Sequence, residues 1–287
     1  IQYYQSRGDF NIAVGEDFIH AINDLSSNEQ HFLVGLSHGQ SPSGAYNYIL
    51  ENYHRINRPE ILRYTFVNSP LKRQRDLKAV MDAKSFLIAL LDQKRLKKEN
   101  ILGSAISIPD VHEYAQAFNE RLREYMKKYK KIGLDYVFVA TNPEGHVAGI
   151  SRKSEIFDSK NIIEIVHDRK QLEVTVTPYF LNLSKRIAFL ATKADKRRAL
   201  AWLLDQNGLA TESPSFLRHM DNVEERLTVF IDDEALNWPQ IIVERKGRVG
   251  ISKIKVDLPK PYNEKAKKKM KPADQRVEFL NIVSPFS

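Results

Sequence analysis

The amino-acid sequence predicts an α/β protein: a mostly parallel β-sheet covered by helices on both faces, followed by a basic C-terminal extension. Three observations predict it. Short runs rich in β-branched and aromatic residues alternate with amphipathic segments of about ten residues or more. The strongest run, Leu134-Asp135-Tyr136-Val137-Phe138-Val139-Ala140, stays apolar instead of alternating with polar residues, as strands buried on both faces do. The turns after the runs hold Gly, Pro, Ser and Asn where a strand must hand over to a helix. Such alternation calls for right-handed crossovers. The 287 residues, 42% of them hydrophobic, supply ample core for a domain over residues 1–238, with residues 239–287 as the extension.

Residues 16–25 read as a weak amphipathic helix with Phe18, Ile19, Ile22 and Leu25 on one side. A strand at 32–36 empties into Ser37-His38-Gly39-Gln40-Ser41-Pro42, and a helix follows over 43–56. Residues 61–67 form a second strand and 68–75 a loop. Asp76 caps a helix reaching residue 91, whose apolar face includes Leu77, Val80, Phe86, Leu87 and Leu90. After a short extended stretch at 101–108, Pro109-Asp110 opens a long amphipathic helix that ends near Gly133, a C-cap by residue type. The strand at 134–140 leads into Thr141-Asn142-Pro143-Glu144-Gly145-His146. Strands at 161–166, 172–177 and 186–192, a helix over 195–205 and a strand at 227–231 complete the alternation. In the extension, residues 241–243, 248–251 and 254–258 suit a small hairpin or an added edge, and 259–272 is Lys-rich without apolar periodicity. There is no internal repeat.

The formal net charge is +8. From Ile242 onward twelve basic residues face five acidic ones; twelve minus five is +7, which leaves about +1 for the first 241 residues. The tail is either a solvated segment or an arm that docks on a protein partner or another acidic surface. It lacks interleaved aromatics and any nucleic-acid-binding module. The absence of cysteine excludes disulfides, thiolate metal sites and a cysteine nucleophile. No His/Asp/Glu spacing marks a metal site, and no cofactor is expected. No apolar run is long enough to span a bilayer. A cytoplasmic protein is expected. The first residue is Ile1 rather than Met, so an organellar address through a removed leader stays open, as does a homo-oligomer.

Ligands of parallel sheets collect beyond the carboxyl ends of the strands. Four loops leave such ends, at 37–44, 68–75, 141–151 and 193–196, and their convergence on one crevice is the expected geometry. In the first, Ser37, Gly39, Gln40 and Ser41 offer backbone N–H groups and hydroxyls at a helix start, a seat for a phosphate; the plain alternative is a simple strand-to-helix turn.

Taken in order, these loops resemble the glucosamine-6-phosphate isomerase and 6-phosphogluconolactonase family. Ser37-His38-Gly39-Gln40-Ser41-Pro42 lies on its Ser/Thr-Gly-Gly-Ser/Thr-x-Pro phosphate loop. Ala140-Thr141-Asn142-Pro143-Glu144-Gly145-His146 lies on its Gly-x-Gly-x-Asp-Gly-His loop. Val176-Thr177-Pro178-Tyr179-Phe180-Leu181 is similar to the lactonases' Thr-Leu-Pro-x-Leu segment, and Glu99-Asn100-Ile101 to a tripeptide of the isomerases. The resemblance spans about residues 32–236. It implies a Rossmann-like three-layer fold, a phosphorylated sugar or sugar lactone as ligand, and Lys196 as a phosphate-binding lysine. The structural alternative for Lys196 is one exposed lysine beside Lys193, Arg197 and Arg198.

The departures bear on function. Where the isomerases carry an Asp-Glu pair and the lactonases Asp-Glu-Arg, this chain reads Ser69-Pro70-Leu71, and the isomerases' later Glu falls on Ser151. The family Asp becomes Glu144, the first loop's Gly-Gly becomes His38-Gly39, and an Arg of the lactonases falls on Leu172. Serine is not a general base near neutral pH, so aldose–ketose isomerisation is the least expected activity. His146 is the remaining catalytic candidate: in a lactonase-like role it takes a proton from attacking water while Glu144 orients the ring. Its structural alternative is a loop histidine bonded to nearby backbone. His38 either donates to a phosphate or fills its space, and Lys72-Arg73-Gln74-Arg75 either holds a second anion or is solvated. Two functions follow from the resemblance: a non-catalytic sugar-phosphate binder or interaction subunit docking through its basic tail, and a phosphosugar lactonase using His146 and Glu144.

Overall fold

The computed structural model describes residues 1–70, 82–103, 110–168, 171–205, 208–236, 241–245, 251–256 and 279–281. The strands and helices up to residue 236 are, in chain order, β1 (Gln2–Tyr4), α1 (Arg7–Asn23), β2 (Phe32–Leu36), α2 (Ser43–Glu51), β3 (Leu62–Phe66), β4 (Asn68–Pro70), α3 (Ala83–Asp92), β5 (Ile101–Leu102), α4 (Val111–Lys128), β6 (Tyr136–Ala140), β7 (Ile163–Asp168), β8 (Gln171–Val176), α5 (Pro178–Asn182), β9 (Arg186–Ala191), α6 (Arg197–Leu204), α7 (Val223–Arg226), β10 (Leu227–Asp232) and α8 (Asp233–Leu236).

Seven strands pair in the order β1-β10-β9-β6-β2-β3-β5, every neighbouring pair parallel. The apolar runs serve two cores at once because successive side chains leave opposite faces of the sheet. On β6, Tyr136 and Phe138 join Phe10, Phe18 and Tyr46 beneath α1 and α2. Val137 and Val139 join Phe118, Leu122 and Leu200 beneath α4 and α6. This is the expected three-layer α/β sandwich. The chain runs outward from β2 to β3 and β5, then returns to β6 and continues to β9 and β10. The reversal between β2 and β6 opens a crevice at their carboxyl ends, where ligands of such sheets bind.

Several boundaries differ from the sequence reading, for physical reasons. The first helix begins at Arg7, nine residues before residue 16, because Ser6 accepts a hydrogen bond from the Asp9 amide at 3.0 Å and caps the start. The strands expected at 161–166 and 172–177 form as β7 and β8, but in a separate antiparallel sheet of order β4-β8-β7. Two residues join them, too few for a parallel crossover. The second loop opens as strand rather than coil: Asn68–Pro70 is β4, with Ser69 opposite Val174 of β8. α3 starts at Ala83, capped by Asp82, whose side chain accepts from the Ser85 amide at 2.8 Å; Asp76 and the Lys72–Arg75 run lie outside the described residues. α4 ends at Lys128, and Lys130 rather than Gly133 takes the left-handed conformation, with φ 52°. In the extension, β11 (Ile241–Arg245) and β12 (Ile251–Val256) form an antiparallel pair to which β13 (Phe279–Asn281) adds an edge. The Lys-rich stretch 259–272 lies outside the described residues. No helix among the described residues is long and apolar enough to cross a membrane.

A buried carboxylate pins the amino end of the sheet. Asp135, 2% exposed, accepts from the Leu33 amide at 2.8 Å and pairs with Lys131 at 2.9 Å and Lys185 at 2.8 Å. Lys131 is itself buried and also holds Glu29, whereas Lys185 is 58% exposed. Removing a buried charge that satisfies a backbone amide and a buried cation is costly. Asp135→Ala is therefore expected to lower unfolding stability by about 3 kcal/mol in urea denaturation. Lys185→Ala, which removes the solvated partner, should cost less than about 1 kcal/mol.

Candidate functional site

The loops that leave β2, β6 and β9 meet over the end of β6, which lies between the other two. Ser37, the first residue after β2, is buried and its hydroxyl accepts from the Ala140 amide at 3.2 Å, tying the first loop to the third. The buried Tyr46 hydroxyl donates to the Ser37 carbonyl at 3.0 Å. Ser41 and Thr192, both buried, share a hydrogen bond at 3.0 Å. Lys193 Nζ donates to Gln40 Oε1 at 2.6 Å. The first and fourth loops thus close across the strand between them.

Two residues that sequence reasoning passed over set this arrangement. Arg7, at the start of α1, donates to the Gln40 and Ser41 carbonyls, both at 2.9 Å. It also lies 3.6 Å from Asp232, which is 4% exposed at the end of β10. Asp232 in turn accepts from the Lys193 amide at 3.1 Å and the Ala235 amide at 2.9 Å. The signal for Arg7 was present: Ser6-Arg7-Gly8-Asp9 has the spacing of a helix start. Asp232 has one local contact, the Ala235 amide in α8, whereas its contacts with Arg7 and Lys193 are distant in sequence and no local pattern announces them.

Gly39 has φ +113°, and a side chain there would meet no atom within 4 Å. The first loop therefore faces open space at Gly39, in a conformation that L-residues rarely adopt. His38 stacks on Phe66 with ring centroids 5.1 Å apart. Burial pulls its pKa below the ordinary histidine value, more than Asp82 restores, so the ring is uncharged at neutral pH. Lys196 lies in the turn before α6, and its ammonium pairs with Asp195 at 3.1 Å.

The third loop is wound around Asn142. Its side-chain oxygen accepts from the amides of Glu144 at 3.0 Å and His146 at 2.9 Å, which fixes both candidate residues through backbone. Glu144 is exposed and His146 half-buried. Gly145, with φ +82°, rests on Trp202: a side chain there would come within 2.6 Å of the indole. Arg152 and Arg198 stack on that indole at 4.8 Å and 4.6 Å. A carboxylate also stands beside the second and third loops. Glu173 on β8 accepts from Asn68 Nδ2 at 3.1 Å, and a Cβ on Gly149 would run into it. No group of three or more His, Cys, Asp or Glu able to hold a metal occurs among the described residues.

A doubly wound parallel sheet with polar loops gathered at its switch point defines an α/β protein of the Rossmann-like kind. The family profile described as glucosamine-6-phosphate isomerases/6-phosphogluconolactonase matches residues 5–227, and the chain belongs to that family. Among solved structures it is similar to the 6-phosphogluconolactonase of Trypanosoma brucei, at 16% identity and a TM-score of 0.65 over 81% of this chain and 95% of that one. The Plasmodium vivax 6-phosphogluconolactonase gives 16% identity and 0.66 over 80% and 88%. A monomeric glucosamine-6-phosphate deaminase gives 15% and 0.61 over 81% and 97%. No curated protein sequence matches the chain.

The two loop glycines make a test of this geometry. Gly39→Ala should cost only the left-handed backbone penalty, about 1 kcal/mol, because the space beside it is open. Gly145→Ala adds a collision with Trp202 to the same penalty and should cost more than about 2 kcal/mol. Thermal unfolding of the two variants checks the order.

Proposed function

We propose that this chain binds a phosphorylated sugar at the first loop, with Ser37, Gly39, Gln40 and Ser41 as the phosphate seat and the 193–196 loop, including Lys196, as its cationic wall. Membership of the isomerase and lactonase family supports a phosphosugar ligand. The observation that carries the reading is the closure of the first and fourth loops across β6, through Ser41–Thr192 and Gln40–Lys193, beside the open space at Gly39. Backbone amides, hydroxyls and ammonium groups there suit a dianionic phosphate.

The chemistry above the seat is reduced. Serine occupies positions 69 and 151, where the family resemblance places carboxylates, and serine does not abstract a proton from carbon near neutral pH. His146 and Glu144 stand on one loop, where Asn142 holds both through their backbone amides. The chain therefore acts as a sugar-phosphate-binding member of the family in which catalysis is lost or weak. The basic extension would give such a binder a docking arm for an acidic protein surface.

Binding of 6-phosphogluconate by calorimetry, paired with hydrolysis of 6-phosphogluconolactone, tests this. The expected outcome is saturable binding, with lactone decay at the spontaneous rate for the wild type and for His146→Ala alike. A wild-type rate well above background that falls to background in His146→Ala would replace this reading with that of an active lactonase.

A further inference from the structure

Among the non-glycine residues of the crevice, Lys193 stands out by its backbone. Its backbone sits at φ 71°, ψ 156°, a region that is essentially the preserve of glycine. A lysine there carries strain, and such strain persists only where surrounding contacts impose it. Two contacts impose it here. The Lys193 amide points into the Asp232 carboxylate, at 3.1 and 3.3 Å from its two oxygens. The ammonium reaches over the end of β6 to the side-chain oxygen of Gln40 at 2.6 Å. The side chain is otherwise exposed, so the strain secures no buried packing.

We infer that Lys193 is a phosphate-contacting residue of the first-loop seat, held in a strained conformation to aim its ammonium across the crevice. This rests on the reading of Ser37–Ser41 as that seat. Among the described residues the ammonium is matched by a neutral amide oxygen, and an incoming phosphate exchanges that contact for a charge-assisted one. The neighbouring cations are already committed. Lys196 pairs with Asp195 at 3.1 Å. Arg7 spends its guanidinium on the Gln40 and Ser41 carbonyls and on Asp232, so it shapes the loop instead of meeting the ligand. Lys193 therefore adds a site cation that loop resemblance alone assigns elsewhere, and Gln40 serves as its resting partner.

Affinity for 6-phosphogluconate and melting temperature, measured together on Lys193→Met, Lys193→Gly and Lys196→Met, test the assignment. Loss of one charge-assisted contact to phosphate should weaken binding by about tenfold or more in both Lys193 variants. Lys193→Gly, which releases the backbone strain, should melt at or above the wild-type temperature. Lys196→Met should weaken binding less than Lys193→Met does. A purely structural Lys193 would show the opposite pattern, with affinity within twofold of wild type and a lowered melting temperature, and would overturn the assignment. If the wild type itself fails to bind, the phosphate seat falls and Lys193 with it. If the wild type binds and only Lys196→Met loses affinity, the seat stands and Lys193 is excluded.

Discussion

The buried carboxylate of Asp232 holds the crevice together. It stands at the end of β10, away from the β2–β6 reversal, yet the loops around the reversal take their positions from it. Through Arg7 it fixes the carbonyls of Gln40 and Ser41, and through its own acceptor oxygens it fixes the Lys193 and Ala235 amides. A carboxylate this buried is tolerable only with a full set of charged and backbone partners. Satisfying it forces the start of α1, the loop after β9 and the loop after β2 into one arrangement. The sheet supplies the platform, and Asp232 supplies the register of what stands on it.

Strain and burial divide the crevice into two halves of different character. Around the first loop, bonds converge from Ser37, Ser41, Thr192 and Lys193, and Gly39 faces open space. Around the third loop, Asn142 winds the backbone into a turn that leaves Glu144 in solvent and seats Gly145 on Trp202. The first half is tied together around an open space, whereas the second packs its backbone on Trp202. Glu173 is the carboxylate that the antiparallel β4–β8 pair brings to the junction of the second and third loops, where Ser69 and Ser151 leave the sequence without one.

Much of the fold was legible because burial on both sheet faces writes continuous apolar runs, and β2, β3, β6, β9 and β10 all appear where such runs stand. The crevice loops were legible as strand-to-helix handovers. What escaped was written in pairings, not in runs. Strands β7 and β8 have the composition of sheet members, and only the two-residue link between them excludes a parallel crossover. Arg7 and Asp232 act across more than two hundred residues, and no local pattern encodes such a contact. Lys193 was visible as one of several cations; its backbone conformation, which singles it out, is imposed by Asp232 and cannot be read from the residues beside it.

The central claim is that the two loops closed over β6 are the place where a phosphosugar binds. Amide chemical-shift mapping of the full chain during titration with 6-phosphogluconate tests it most directly. The account predicts saturable shifts concentrated at residues 37–41 and 192–196, with smaller ones at Ala140 and Asp232. Shifts confined to other surfaces, or none at saturating ligand, would contradict it.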